Sequence, residues 1–233
     1  NPAIRSRLAD GTFTVRYSPI SYERRPAGAI ANYFGIWDSR SELLSPHEEL
    51  VASARLLGAS KSTILDLATT SLDSHRAELA QADMIQIATH GEPLSKFTDP
   101  HFAEVSGTGK GFYFKEIQRT FWNYKYQIAI VNACYASDPA IQRMGEPMKT
   151  DDIIGYPSIL LLNRRSQVIA PLWSTLDVVG FVMSYFLSEG LSLGYSPSVA
   201  YSRTIARMFD ITREDLLSTL AKIESPTLRE KKL

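Results

Sequence analysis

Two apolar segments of the chain each end in a chemically reactive side chain. Residues 84–91 read MIQIATHG, and residues 127–134 read QIAIVNAC. Each segment is a short apolar run of the length that a buried strand has in a parallel sheet. The first run leads to His90 and the second to Cys134. The sequence therefore predicts an imidazole and a thiol at the ends of two strands.

Predicted strands and helices alternate along the rest of the chain. We predict further strands over residues 12–17, 30–37, 63–68 and 167–172, and helices over residues 46–57, 72–80, 155–164, 177–189, 197–209 and 212–223. This alternation is typical of an α/β fold with a mostly parallel sheet. Sites in such sheets form beyond the carboxyl ends of the strands. His90 and Cys134 are thus predicted to lie where this fold places its chemistry.

Two helices carry start signals in the sequence. Ser45 is a predicted N-cap, followed by Pro46 at the first helical position and Glu48 at the capping-box position. Asp210, and Thr212 with Asp215, are predicted caps for the last helix. The buried face of the first helix is predicted to comprise Leu50, Val51, Ala54 and Leu57.

The composition argues against several classes of protein. The 233 residues contain 25 Lys and Arg against 25 Asp and Glu, so the basic surplus that dominates nucleic-acid affinity is missing. A single cysteine cannot form an internal disulfide, and with four histidines it does not suit a Cys-rich zinc site. No apolar stretch reaches the ~20 residues of a membrane span, and no signal-peptide pattern opens the chain. We expect a cytoplasmic protein that binds neither nucleic acid nor membrane.

The sequence around Cys134 allows two interpretations of this cysteine. A free cysteine is commonly a small buried apolar residue, and His90 and Gly91 have equally ordinary uses as a satisfied polar side chain and a turn. Alternatively, a neighbouring imidazole promotes the thiolate, which is a strong nucleophile. Adjacent parallel strands lie about 4.8 Å apart, so their carboxyl ends can bring the two groups together. The N–H groups of Gly91 and Cys134 could then bind a developing oxyanion.

Residues 87–91 (IATHG) and 131–137 (VNACYAS) resemble the catalytic motifs of the CHAT family. These are caspase-like cysteine proteases of the group that also holds separases and gingipains. Residues 145–146, 159–162 and the stretch 167–173 (QVIAPLW) followed by Asp177 resemble later segments of that family, so the resemblance covers roughly residues 30–210. The chain departs from the caspases proper, which have a Gln where Asn132 stands and place their histidine about 50 residues before the cysteine.

The resemblance implies a caspase-type fold with helices on both faces of the sheet. It implies one protease domain over residues 30–233, with residues 1–29 as an N-terminal extension or edge hairpin. The activity implied is cysteine endopeptidase chemistry by a His90/Cys134 dyad, without metal or cofactor. The imidazole either polarises the scissile carbonyl region or protonates the leaving amine. The implied partners are a protein substrate and an activating sensor or repeat domain, in a bacterial defence or cell-death system.

The resemblance also indicates which residues would line the substrate pocket. They follow the histidine, the cysteine and the next strand: Glu92, Asp138, Trp173, Ser174 and Asp177. An acidic lining would favour a basic residue before the scissile bond by charge complementarity. The alternative is local, since Asp138 precedes a proline in a predicted loop and Asp177 is placed to cap a helix.

Two other functions are alternatives to the protease. A binding or scaffold module could keep the fold without activity, but the intact His90 and Cys134 argue against it. A nucleotide-binding α/β domain would need a phosphate-binding loop after a strand. The chain has no such motif, and residues 107–111 (GTGKG) imitate one only weakly.

Overall fold

The computed structural model describes residues 28–40, 43, 45–90, 101–102, 112–113, 126–133, 160, 167–170 and 176–221. The predicted strand at residues 12–17 and the N-terminal extension up to residue 27 lie outside these ranges. Of the predicted helix at residues 155–164 only Leu160 is described, and it is helical and buried. The division into an extension and one domain stays a prediction.

The described residues form seven strands and five α-helices. The strands are β1 (Asn32–Trp37), β2 (Lys61–Asp66), β3 (Met84–Ala88), β4 (His101–Phe102), β5 (Phe112–Tyr113), β6 (Ile128–Asn132) and β7 (Gln167–Ile169). The helices are α1 (Pro46–Leu56), α2 (Arg76–Ala80, after a 3-10 turn at Leu72–His75), α3 (Asp177–Ser192), α4 (Pro197–Asp210) and α5 (Arg213–Ala221). The short antiparallel pair of β4 and β5 was not predicted from the sequence.

Five of the strands make one parallel sheet in the order β2-β1-β3-β6-β7. This confirms the predicted α/β fold with a mostly parallel sheet. The chain runs from β1 to β2 on one side and then crosses to β3 on the other side of β1. Strand order therefore reverses between β1 and β3, and open α/β sheets bind ligands beside such a switch point, outside the carboxyl ends of the strands.

Helices cover both faces of this sheet. The alternating side chains of the strands divide into two buried clusters, because successive residues of a strand point to opposite faces. One cluster joins Phe34, Ile85 and Val131 to the α2 region through Leu72 and Leu79. The other joins Met84 and Ile130 to Leu50 of α1 and to Leu187 and Leu191 of α3.

Helix α1 begins as predicted but buries a different face. Its buried residues are Pro46, Glu49, Leu50, Ser53 and Ala54. Val51, which was predicted to be buried, is 42% exposed, so that part of the prediction is wrong. The reason is helical geometry: positions spaced by three and four residues share a face, and here two of them are polar.

The predicted caps have different outcomes. Ser45 is the N-cap of α1 and Pro46 follows it, but the serine makes no side-chain capping hydrogen bond. At the start of α5 the Thr212/Asp215 pair forms as predicted, whereas Asp210 is the last residue of α4. The Asp215 backbone N–H donates to Thr212 Oγ1 at 3.1 Å, and the Thr212 backbone N–H donates to Asp215 Oδ2 at 3.2 Å.

Candidate active site

The predicted site residues divide between described and undescribed parts of the chain. His90 and Asp177 are described. The remaining predicted residues lie outside the described ranges: Gly91, Glu92, Cys134, Asp138, Trp173 and Ser174. The geometry of the site therefore starts from His90, from Asp177 and from the strand that leads to Cys134.

Strands β3 and β6 are direct neighbours, and their register is fixed. Met84 pairs with Ile128, and the ladder continues to Ala88 opposite Asn132. Each residue of β6 thus pairs with the β3 residue 44 positions earlier. One further hydrogen bond follows the ladder, from the Thr89 backbone N–H to the Asn132 carbonyl at 3.2 Å. Both strands thus bring their carboxyl ends to the same edge of the sheet.

His90 and Asp177 line one small cleft at this edge. The exposed His90 comes directly after the buried Thr89 at the end of β3. The other residues of the lining come from α1, from the segment before it and from the ends of β3 and β6: Leu43, Pro46, Glu49, Ala88, Thr89 and Asn132. The cleft thus lies at the carboxyl ends of β3 and β6, next to the first turns of α1 and α3.

Asp177 is the first residue of α3 rather than its N-cap. The N-cap position is held by Leu176, and no side chain caps the helix. The interpretation of Asp177 as a capping residue is therefore wrong. Its carboxylate still lies in the first turn, where a negative charge suits the helix dipole, and it contributes an acidic group to the cleft that His90 lines.

A second carboxylate lies at the buried side of the cleft. Glu49 is only 2% exposed. Its Oε1 accepts hydrogen bonds from Gln86 Nε2 at 2.6 Å and from Ser184 Oγ at 2.8 Å. Its Oε2 accepts one from Asn132 Nδ2 at 2.7 Å. One side chain of α1 thus binds β3, β6 and α3 at once.

The hydrogen bonds continue from Glu49 into the sheet. The buried Tyr33 hydroxyl on β1 donates to Gln86 Oε1 at 2.9 Å, which orients the Gln86 amide so that its nitrogen faces Glu49. Tyr33, Glu49, Gln86, Asn132 and Ser184 are called the Glu49 network below. Burial and the nearby Glu49 carboxylate raise the pKa of Tyr33 well above its usual range, so the phenol keeps the proton that it donates.

Burial raises the pKa of Glu49 to about 7. The three donated hydrogen bonds favour the ionised form and oppose this shift, but removal from water costs the carboxylate more. The negative charge of Asp177 raises the pKa of Glu49 further. A glutamate at this position therefore titrates near neutral pH.

Gly180 of α3 leaves space for the Asn132 side chain on the side opposite Glu49. A Cβ at position 180 would overlap the side-chain amide of Asn132. The glycine lies in the first turn of α3, three residues after Asp177. Helix α3 thus supplies an acidic group of the cleft, the space for the Asn132 amide and, through Ser184, a donor to Glu49.

The described part of the chain shows neither a metal site nor a membrane span. Within it, no three His, Cys, Asp or Glu side chains lie where they could hold a metal ion together. No helix within it is long and apolar enough to cross a membrane. The chain matches no protein-family model, and a search of curated proteins found no match.

The Glu49 network was not found from the sequence, although its members leave a signal there. Gln86 is the one polar residue inside the apolar run MIQIA, and Ser184 interrupts the apolar stretch 178–187. Glu49 and Ser53 occur at helical spacing among the apolar positions of α1. A polar residue at a buried position needs a hydrogen-bond partner, so these isolated polar positions pointed to one another.

Glu49 gives the stability of the protein a specific dependence on pH. Its pKa is about 7 when folded against 4.5 for the unperturbed side chain. The folded state therefore holds the proton more tightly, and the resulting stabilisation is present below pH 4.5 and lost as pH rises through 7. Relative to Glu49→Gln, which does not titrate, wild type should lose about 3 kcal/mol of unfolding free energy between pH 4.5 and 8. Urea unfolding at four pH values measures this, and parallel curves for the two proteins would contradict it.

The fit between Gly180 and Asn132 predicts unequal effects of two alanines in α3. Gly180→Ala should lower the unfolding free energy by about 1–3 kcal/mol, because the added methyl group overlaps Asn132. Gly190→Ala is the matched control on the same helix, where the new Cβ would lie 3.1 Å from Ala200 Cβ. That contact is tight but less severe than the overlap at position 180, so with the same ~1 kcal/mol gain in helix propensity Gly190→Ala should cost less unfolding free energy than Gly180→Ala. Equal melting temperatures for both variants would refute the fit.

Proposed function

We propose that the protein is a cysteine endopeptidase of the caspase-like CHAT type, in which Cys134 is the nucleophile and His90 its imidazole partner. The parallel sheet with helices on both faces agrees with the fold that the resemblance implies. The proposal includes a protein substrate, an activating sensor or repeat partner, and a role in a bacterial defence or cell-death system. A cytoplasmic location suits it, because a reducing compartment preserves a single catalytic thiol.

The register between β3 and β6 is the observation that carries the proposal. Paired residues of the two strands differ by 44 positions, and His90 and Cys134 differ by the same number. Each also follows its last paired residue, Ala88 or Asn132, by two positions. If the segments after β3 and β6 continue side by side, the backbones at His90 and Cys134 lie about 4.8 Å apart, which is the spacing of neighbouring strands. The thiol and the imidazole can then approach each other.

The proposed chemistry follows from these two groups. The Cys134 thiolate attacks the scissile carbonyl carbon, and the carbonyl electron pair moves to the oxygen. Backbone N–H groups of Gly91 and Cys134 hold that oxyanion. When the tetrahedral intermediate collapses, the C–N bond breaks and the amine leaves with a proton from His90. Water then hydrolyses the thioester, with the neutral imidazole accepting its proton.

The charge of the cleft supports a basic residue before the scissile bond. Asp177 lines the cleft together with His90, and Glu49 adds a second carboxyl group at its buried side. A cationic side chain entering there would face acidic groups. Glu92, Asp138, Trp173 and Ser174 stay predicted parts of this pocket.

Thiol reactivity tests the dyad without knowledge of the substrate. Cys134 is the single cysteine, so iodoacetamide reports on this thiol alone. An unpaired thiol with a pKa near 8.5 is only a few per cent ionised at pH 7. His90→Ala should therefore slow alkylation at pH 7 by about tenfold or more, measured by mass spectrometry. His75→Ala, in the 3-10 turn before α2, is the control and should react as wild type does. Equal rates for His90→Ala and wild type would overturn the dyad.

Substrate preference tests the role of Asp177. Where wild type cleaves peptides of a randomised library, cleavage should follow Lys or Arg, and Cys134→Ala should cleave none of them. Asp177→Asn should lower kcat/KM for these peptides by about tenfold, since the lost charge pair is worth on the order of 1–2 kcal/mol. The exposed Asp210 at the end of α4 offers the matched control Asp210→Asn. Unchanged preference in Asp177→Asn would remove Asp177 from the pocket.

A further inference from the structure

We propose that Glu49 is a positioning residue: its hydrogen bond to Asn132 fixes the end of strand β6, and with it the short chain that carries Cys134 toward His90. The inference rests on the proposed function and adds a role for a residue that does not itself touch the substrate. It is carried by the contacts that Glu49 makes with Asn132 and by the position of Asn132 at the end of strand β6, two residues before Cys134.

The end of β6 has sheet neighbours on one side only in the described residues. Strand β7 pairs with β6 from Ile128 to Ile130. Val131 and Asn132 continue along β3 alone. Asn132 is the last residue of the strand, and only Ala133 separates it from Cys134.

Glu49 supplies an anchor whose own orientation is fixed. Its Oε2 accepts from Asn132 while its Oε1 accepts from Gln86 and Ser184. The Gln86 amide is in turn oriented by the Tyr33 hydroxyl. Three elements besides α1 thus determine where the carboxylate lies, and a buried charge-assisted hydrogen bond to an amide is stronger and shorter than a neutral one.

The anchor costs the protein stability, which argues against a purely structural role. A carboxylate removed from water is expensive even when it is hydrogen-bonded. Apolar side chains of similar volume fill the same layer elsewhere, such as Leu50 beside Glu49 and Leu187 on α3. A polar network retained among them fixes one geometry where apolar packing would allow several.

Helix α3 holds the Asn132 amide from the opposite side. The absence of a Cβ at Gly180 lets the amide fit against the first turn of the helix. Asn132 therefore lies between the carboxylate of α1 and the backbone of α3. The same turn begins with Asp177, which lines the cleft beside His90. The first turn of α3 thus contacts the strand end that precedes Cys134 and also lines the cleft.

A swap of two isosteric pairs separates positioning from simple core packing. Asn132→Asp sets a second carboxyl group against Glu49, and Glu49→Gln keeps a hydrogen bond to Asn132 only if one of the two amides turns over to present its oxygen. The double variant Glu49→Gln/Asn132→Asp exchanges the groups and restores an N–H···O bond between them. We measure alkylation of Cys134 by iodoacetamide at pH 7 and well below each melting temperature, so that only folded protein reacts.

The expected rates follow from the hydrogen bond. Asn132→Asp should slow alkylation by about tenfold and Glu49→Gln by about threefold, the factors that correspond to the net contribution of one hydrogen bond. The double variant should return to within about threefold of wild type, as a coupled pair does. Glu48→Gln removes the neighbouring charge on α1 without touching the Glu49 network, and it should react as wild type does.

Each outcome has one interpretation. If the single variants lower only the melting temperature and leave the alkylation rate unchanged, Glu49 is structural and the proposal is overturned. If the double variant reacts no faster than the slower single variant, the Asn132 bond is not what positions the thiol. Failure of the dyad appears elsewhere, as an unchanged rate in His90→Ala. Should the single variants not fold, Gly180→Ala displaces Asn132 without changing charge, and a folded Gly180→Ala protein with the wild-type rate overturns the proposal as well.

Discussion

The parallel ladder between β3 and β6 sets the geometry on which the rest of the site depends. Ten backbone-paired residues fix one strand against the other with a constant offset of 44 positions. A slip of one residue would turn every side chain of β6 to the other face of the sheet. Gln86 and Asn132 would then lose their common face, and Glu49 its contact with both strands. A change of register would therefore disrupt both the Glu49 network and the cleft.

The Glu49 network turns this register into a rigid support at one edge of the sheet. Apolar packing on both faces supplies most of the driving force for folding, but it does not by itself fix the polar side chain of Asn132 at the end of β6. A buried carboxylate with three donors does so at a cost, which shows in its raised pKa. The site thus combines a stable apolar sheet with a polar anchor placed below the cleft.

The sequence was sufficient for the parts of the fold that depend on local pattern. The apolar runs at β1, β3 and β6, the proline start of α1 and the Thr212/Asp215 cap could all be predicted, because hydrophobic period and capping chemistry are local. Strand order and register could not, since they depend on pairing between distant segments. The 44-residue spacing of His90 and Cys134 was visible in the sequence, but its agreement with the sheet register required the structure.

The buried polar residues are harder to predict from the sequence pattern than the strands and helices are. Counting only apolar residues placed Val51 inside and overlooked Glu49, because a buried glutamate becomes acceptable only through partners on β3, β6 and α3. The family resemblance predicts Asp177 in a substrate pocket and the local pattern predicts it as a helix cap, whereas the structure places it in the lining of the cleft and not at the N-cap. Such positions are decided by tertiary contacts, which no single segment encodes.

The proximity of positions 90 and 134 is the central claim, and a disulfide measures it directly. In His90→Cys the chain holds two thiols, and a disulfide forms without strain when the Cα atoms lie about 4.4–6.8 Å apart. Mild oxidation of the folded variant should give an internal disulfide at the two positions, identified by mass spectrometry of the digested protein. His47→Cys, on the exposed side of α1, should give none. A His90→Cys protein that stays reduced when folded, yet forms the disulfide in urea, would contradict the account.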